Sequence, residues 1–171
     1  GVHASAAAAS YDLVEENCEG TGTPSGWTDS GTPNWDYTTT ILQGAQSVLC
    51  SSGQSSYDTF ATQSTAYGYC LMRIPTSLPA SVNPCCGFRA SDGSARALVR
   101  VDASGNVTIL ANGSDSPACV TTMAANTTYH VWWNFTASGT CSVAFSTDGT
   151  KPTSGNNYTF KTGGAGTVER Y

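Results

Sequence analysis

Charge is what this chain has least of. Only 11% of its 171 residues are Asp, Glu, Lys or Arg, against about 25% in an ordinary globular protein. Seven basic residues against twelve acidic ones leave a net charge of −5 and an isoelectric point near 4.7. The basic residues are scattered, so no stripe exists to neutralise phosphates, and nucleic acid is not an expected partner. No apolar run approaches the roughly 18 residues of a membrane span, so no spanning helix is expected. Ala4–Ser10 is too short and too weakly hydrophobic for a signal-peptide core. Sustained helical periodicity is also missing. The cysteines never form a Cys-x-x-Cys pair, and His3 and His130 lie far apart, which removes the ligand spacing of a zinc site.

What the chain does have is cysteine, hydroxyl side chains and short β-prone runs. Alternating, β-branched and aromatic segments recur at 11–18, 37–42, 46–51, 57–62, 66–74, 85–90, 95–102, 106–111, 128–136, 141–147 and 158–161. Turn residues separate them, the pattern of an all-β sandwich or barrel. The clearest hairpin joins Ala97-Leu-Val-Arg-Val-Asp102 to Asn106-Val-Thr-Ile-Leu110 through Ala-Ser-Gly105. There Asp supplies the local hydrogen bond and Gly the positive φ that a tight turn needs. Residues 1–10 read as an Ala-rich leader or tether, and residues 11–171 as a single domain with one core.

Seven cysteines, at 18, 50, 70, 85, 86, 119 and 141, predict disulfides formed in an oxidising compartment, with one thiol left free or bonded to another chain. Cys70 is expected to bond Cys85 or Cys86, because both lie on segments that read as a strand pair. If that segment is a strand, Cys85 and Cys86 point to opposite faces. Asn-x-Ser/Thr acceptors occur at Asn106, Asn112, Asn126, Asn134 and Asn157. Together with the cysteines they favour an extracellular protein, at a cell or virion surface, with N-glycosylation at those five asparagines.

Segment 128–136 carries the sharpest alternation. Tyr129, Val131, Trp133 and Phe135 share one face; His130, Trp132, Asn134 and Thr136 share the other. The first set is core. In the second, Trp132 and His130 are the candidate glycan-binding residues, since an aromatic face suits the apolar face of a sugar ring. Trp27, Trp35 and Trp133 are expected to fill the core or anchor loops. His130 has no Ser or Cys nucleophile in a strained turn beside it, and its expected role is a hydrogen bond across the sheet.

The stretch from Asn17 to Val48 holds Glu19, a Gly/Thr/Pro loop leading to Gly26-Trp27, a second turn through Gly31-Thr-Pro33, Trp35 before a β-rich run, and Gly44-Ala-Gln-Ser-Val48. This order resembles the opening of LamG-like jelly rolls, of the concanavalin A-like lectin/glucanase superfamily. The resemblance returns in Ser142-Val-Ala-Phe-Ser-Thr-Asp-Gly-Thr-Lys-Pro-Thr153. The Thr-Asp-Gly-x-x-Pro-Thr part is also similar to small immunoglobulin-like modules of chitin-degrading enzymes, which are about half this length. The LamG-like resemblance implies a two-sheet antiparallel jelly-roll sandwich. It also implies the roles such domains play, adhesive or display module on one hand and lectin on the other.

Glycosidases of that superfamily carry Glu-x-Asp-x-x-Glu, and this chain has no such string. Its nearest acidic cluster is Asp12, Glu15, Glu16 and Glu19. In a strand, same-face members four residues apart are about 13 Å apart, whereas retaining hydrolysis needs about 5 Å. No catalytic residue and no cofactor is therefore expected; calcium on that acidic cluster is the one alternative. The expected function is a non-catalytic structural or adhesive glycoprotein, a disulfide-stapled subunit of a filament, coat or virion decoration. Its partners would be copies of itself or other surface proteins. The alternative is a lectin-like module that binds carbohydrate.

Overall fold

The computed structural model describes residues 22–37, 47–49, 54–74 and 76–171. Segments 11–18 and 38–42, the leader 1–10, the acidic cluster 12–19, and Cys18 and Cys50 lie outside the described residues. The described strands are β1 (Thr28–Ser30), β2 (Asn34–Tyr37), β3 (Ser47–Leu49), β4 (Ser55–Tyr57), β5 (Thr59–Gln63), β6 (Thr65–Arg73) and β7 (Asn83–Arg89). They continue with β8 (Ala95–Val101), β9 (Val107–Ala111), β10 (Ser114–Asp115), β11 (Thr128–Thr136), β12 (Thr140–Ser146), β13 (Tyr158–Thr162) and β14 (Val168–Arg170).

The protein is an all-β antiparallel sandwich. One layer is a six-stranded sheet in the order β10-β9-β8-β7-β14-β5, and the other is a four-stranded sheet in the order β13-β12-β11-β6. Two small ribbons, β1 with β4 and β2 with β3, accompany them. The hairpin around Asp102 forms as its residues dictate. Asp102 Oδ1 accepts from the amides of Ser104 at 2.8 Å and Asn106 at 2.9 Å, while Gly105 takes φ 80°. Segment 57–62 is broken at Asp58, whose amide and carbonyl pair with the backbone of Tyr171 at 3.3 and 3.0 Å.

The core lies between the two large sheets, because each strand turns its alternate side chains inward. Strand β11 contributes Tyr129, Val131, Trp133 and Phe135; β12 contributes Cys141, Val143 and Phe145; β8 and β9 contribute Ala97, Val99, Val101, Val107 and Ile109. Burying each larger side chain stabilises the fold by about 1.5–3 kcal/mol. Trp133 needs room, and Gly68 supplies it: a Cβ there would sit 2.2 Å from the indole. Of the other tryptophans, Trp35 is buried and donates Nε1–H to Asp29 at 3.1 Å, and Trp27 packs edge-on against it with centroids 5.3 Å apart.

The cysteines correct the expected staple. Cys70, Cys85, Cys86, Cys119 and Cys141 are all free thiols, and no disulfide occurs among the described residues. Cys119 and Cys141 are buried in the core, where each acts as a small apolar side chain. Burial pushes both thiols up, Cys119 to about 11. Register shifts between Pro84 and Cys86, a bulge at which Cys85 is exposed while Cys86 packs against the core.

Candidate functional site on the outer face of the four-stranded sheet

The side chains that β6, β11, β12 and β13 turn away from the core form three rows across the sheet. Register places Tyr69 opposite Trp132, Trp132 opposite Ala144, and Ala144 opposite Tyr158. Beside this row run Tyr67, Asn134, Ser142 and Phe160, and on the other side Leu71, His130 and Ser146. Most of these side chains are aromatic, and they meet solvent. Tyr67 is 73% exposed, Tyr69 44% and Phe160 50%, whereas His130 and Trp132 are half-buried.

Tyr69, His130 and Trp132 form one aromatic cluster. Their centroids are 5.4 Å (Tyr69–Trp132), 5.9 Å (His130–Trp132) and 6.0 Å (Tyr69–His130) apart, with planes inclined by 33°, 15° and 25°. A hydrogen bond of 2.8 Å joins the Tyr69 hydroxyl to His130 Nδ1, so His130 is bonded across the sheet. On the far side of β12, Tyr158 and Phe160 pair at 6.1 Å. Ala144 between the two aromatic groups is only 2% exposed, so its larger neighbours close over it into one continuous surface.

The polar groups on this face are few and fixed. Asn134 Oδ1 accepts from the Ser142 amide at 2.6 Å and its hydroxyl at 2.7 Å, and Asn134 Nδ2 donates to the Thr140 carbonyl at 3.0 Å. The turn after β12 brings Gly149 against the His130 ring, where an added Cβ would lie 3.4 Å from Cε1. Its neighbour Asp148 is held below the ordinary carboxyl range, chiefly by the Thr150 amide, which donates to Oδ1 at 2.9 Å. One carboxylate thus stands beside His130, and the face carries one guanidinium, Arg73 of β6, which donates to the Thr128 hydroxyl at 3.5 Å.

The structure brings Trp132 and His130 together and adds Tyr67, Tyr69, Tyr158 and Phe160, which sequence reasoning did not nominate. Alternation in β6 was the available signal, since Tyr67 and Tyr69 fall on the face opposite Ala66, Gly68 and Cys70. The five sequon asparagines are dispersed. Asn112 and Asn126 occupy exposed turns at φ 51° and 58°. Asn106 Nδ2 is bonded to Asp102 Oδ2 at 2.8 Å, Asn134 is tied to β12, and Asn157 is half-buried and accepts from the Phe145 amide through its carbonyl. A shallow depression of about 670 Å³ adjoins the β13 edge of this face, at the rim between β10 and β13, lined by Asp115, Pro117, Tyr158, Phe160 and Lys161. Among the described residues no group of three or more His, Cys, Asp or Glu side chains is placed to hold a metal ion. No described helix is long and apolar enough to cross a membrane.

Fold and face together define a β-sandwich with an aromatic outer sheet surface. No family model, curated protein or solved structure matches the chain.

Proposed function

We propose that the protein is a non-catalytic, extracellular adhesive module that binds carbohydrate on the outer face of its four-stranded sheet, in the manner of a LamG-like domain. The observation that supports this most is the solvent-facing cluster of Tyr69, His130 and Trp132. Exposed contiguous apolar surface marks interaction sites, and aromatic side chains with a polar tip suit a ligand that is apolar on one face and hydroxylated at its edges. The face carries one carboxylate and little other charge, which favours a neutral glycan over a phosphorylated or strongly ionic partner. Tyr69, His130 and Asp148 supply hydrogen-bonding groups at its margin. A glycan array followed by calorimetry on the best binder tests this. Trp132→Ala should weaken binding by about 1 kcal/mol, roughly fivefold in Kd, without lowering the melting temperature in proportion. Absence of binding to any neutral oligosaccharide, or binding indifferent to Trp132→Ala, would sink the reading.

The second reading is a subunit of a surface assembly, such as a filament, coat or virion decoration. It is favoured by Val120 and Phe160, exposed at 78% and 50%, and by β13, which has a strand neighbour on one side only among the described strands. Unpaired edges template further pairing. Sedimentation across a concentration series separates the two: a monomer at every concentration removes self-assembly.

A further inference from the structure

Strand β13 stands at one edge of the four-stranded sheet and pairs only with β12 among the described strands. Their ladder is flanked by bonds from the Phe145 amide to the Asn157 carbonyl at 3.1 Å and from the Gly163 amide to the Gly139 carbonyl at 2.6 Å. Backbone groups of an antiparallel strand turn alternately to its two sides. Thr159 and Lys161 therefore bond toward β12, opposite Val143 and Cys141, while the N–H and C=O groups of Phe160 and Thr162 turn outward. Both residues line the depression of about 670 Å³ between β10 and β13. One wall of it is fixed, since the Thr159 hydroxyl donates to the Pro117 carbonyl at 2.7 Å.

Two charged side chains meet this depression, and they are not equally matched. The Asp115 carboxylate is taken by Arg100 at 2.8 and 3.0 Å and by the Thr108 hydroxyl at 3.3 Å. Lys161 reaches only the Ser114 hydroxyl, and among the described residues no carboxylate lies within ion-pairing distance of it. We propose that β13 is an acceptor edge for an extended, acidic segment of another protein, which adds as a fifth strand and directs a carboxylate to Lys161. In such strand addition the main-chain bonds supply affinity and alternate side chains supply selectivity. Side chains of one parity would cover Phe160, which is 50% exposed; those of the other would turn inward, on the side of Thr159 and Lys161.

Charge favours this occupant over a second copy of the same edge. Two β13 strands paired antiparallel about Phe160 would set their Lys161 side chains as diagonal neighbours on one face, where long side chains meet, with a carboxylate for neither. An acidic strand supplies the missing partner. The edge is separate from the ring cluster around Trp132, so the inference holds whether or not that face takes a glycan.

The test adds a short capped peptide, alternating threonine with valine around a central glutamate, to the full chain and follows residue-resolved hydrogen exchange by NMR. The Phe160 and Thr162 amides should exchange quickly in the free protein and slow severalfold with peptide. N-methylating alternate amides of the peptide should abolish that protection while leaving the protein untouched. Lys161→Gln should weaken binding of the glutamate peptide severalfold and leave its glutamine counterpart unchanged. Three results overturn the proposal: no added protection at Phe160 and Thr162, binding indifferent to N-methylation, or edge amides already protected without peptide, whether by the chain itself or by its copies. Equal loss of both peptides in Lys161→Gln overturns the assignment of an acidic partner.

Discussion

The outer faces of the two large sheets solve the same problem, that of meeting water, in opposite ways. On the six-stranded sheet, Arg100 of β8 forms a two-point contact with Asp115 of β10 at 2.8 and 3.0 Å, and Thr108 of β9 bonds the same carboxylate at 3.3 Å. Arg100, Asp115 and Thr108 there are satisfied by one another. On the four-stranded sheet, Tyr67, Tyr69, Trp132 and Phe160 meet solvent with no charged side chain among them. Both inner faces are equally apolar, so packing does not account for the difference. A face whose polar groups are already paired gains little from a partner. A face of half-covered rings can bury them further, which is why the proposed recognition surface is on the four-stranded sheet.

Substitutions can break or sharpen this contrast. Trp133→Ala removes the side chain on which both sheets rest, and should cost about 3–5 kcal/mol, read as the loss of most of the denaturation midpoint and of both outer faces together. Gly68→Ala drives a methyl into the Trp133 indole and should cost about 1–3 kcal/mol. Because Gly68 separates Tyr67 from Tyr69, the same change should weaken carbohydrate binding while the Arg100–Asp115 pair persists. Arg100→Ala acts on the other face alone. The pair is partly exposed, with side chains 20% and 39% accessible, so its loss should cost under about 1 kcal/mol and leave glycan binding unchanged.

The smallest effect concerns acid. Bonds from the Asn106 side chain and amide hold Asp102 below the 3.8 of a free aspartate. Its contribution is therefore fully present above 3.8 and fades as pH falls through the lower folded value. Thermal melts between neutral and strongly acidic pH should show Asp102→Asn losing part of the acid dependence of the wild type.

Much of the fold was legible because the chain alternates cleanly. Segment 128–136 coincides with β11, and the hairpin through Asp102 and Gly105 with the β8–β9 turn. Strand β14 was missed because Glu169 and Arg170 look like loop residues. They are satisfied instead by tertiary partners: Glu169 accepts from the Ser91 amide, and Arg170 bonds the Ser91 carbonyl and lies over the Tyr57 ring at 4.9 Å. Trp132 and His130 were identifiable from one strand's pattern. Alternation in β6 turns Tyr69 outward, but its meeting with Trp132 and His130 comes from pairing between strands far apart in sequence, which alternation within one strand cannot report.

Asn134 places a clock on its own sequon. In the finished protein its amide nitrogen is committed to Thr140 and its oxygen to Ser142, both of which arrive within eight residues of further chain. If Asn134 carries a sugar, closure of the β11–β12 hairpin opposes its attachment, so occupancy there would report a race between the modifying enzyme and folding. Asn112 and Asn126, on open turns, run no such race, and comparing occupancy at the three sites would time the closing of the sheet.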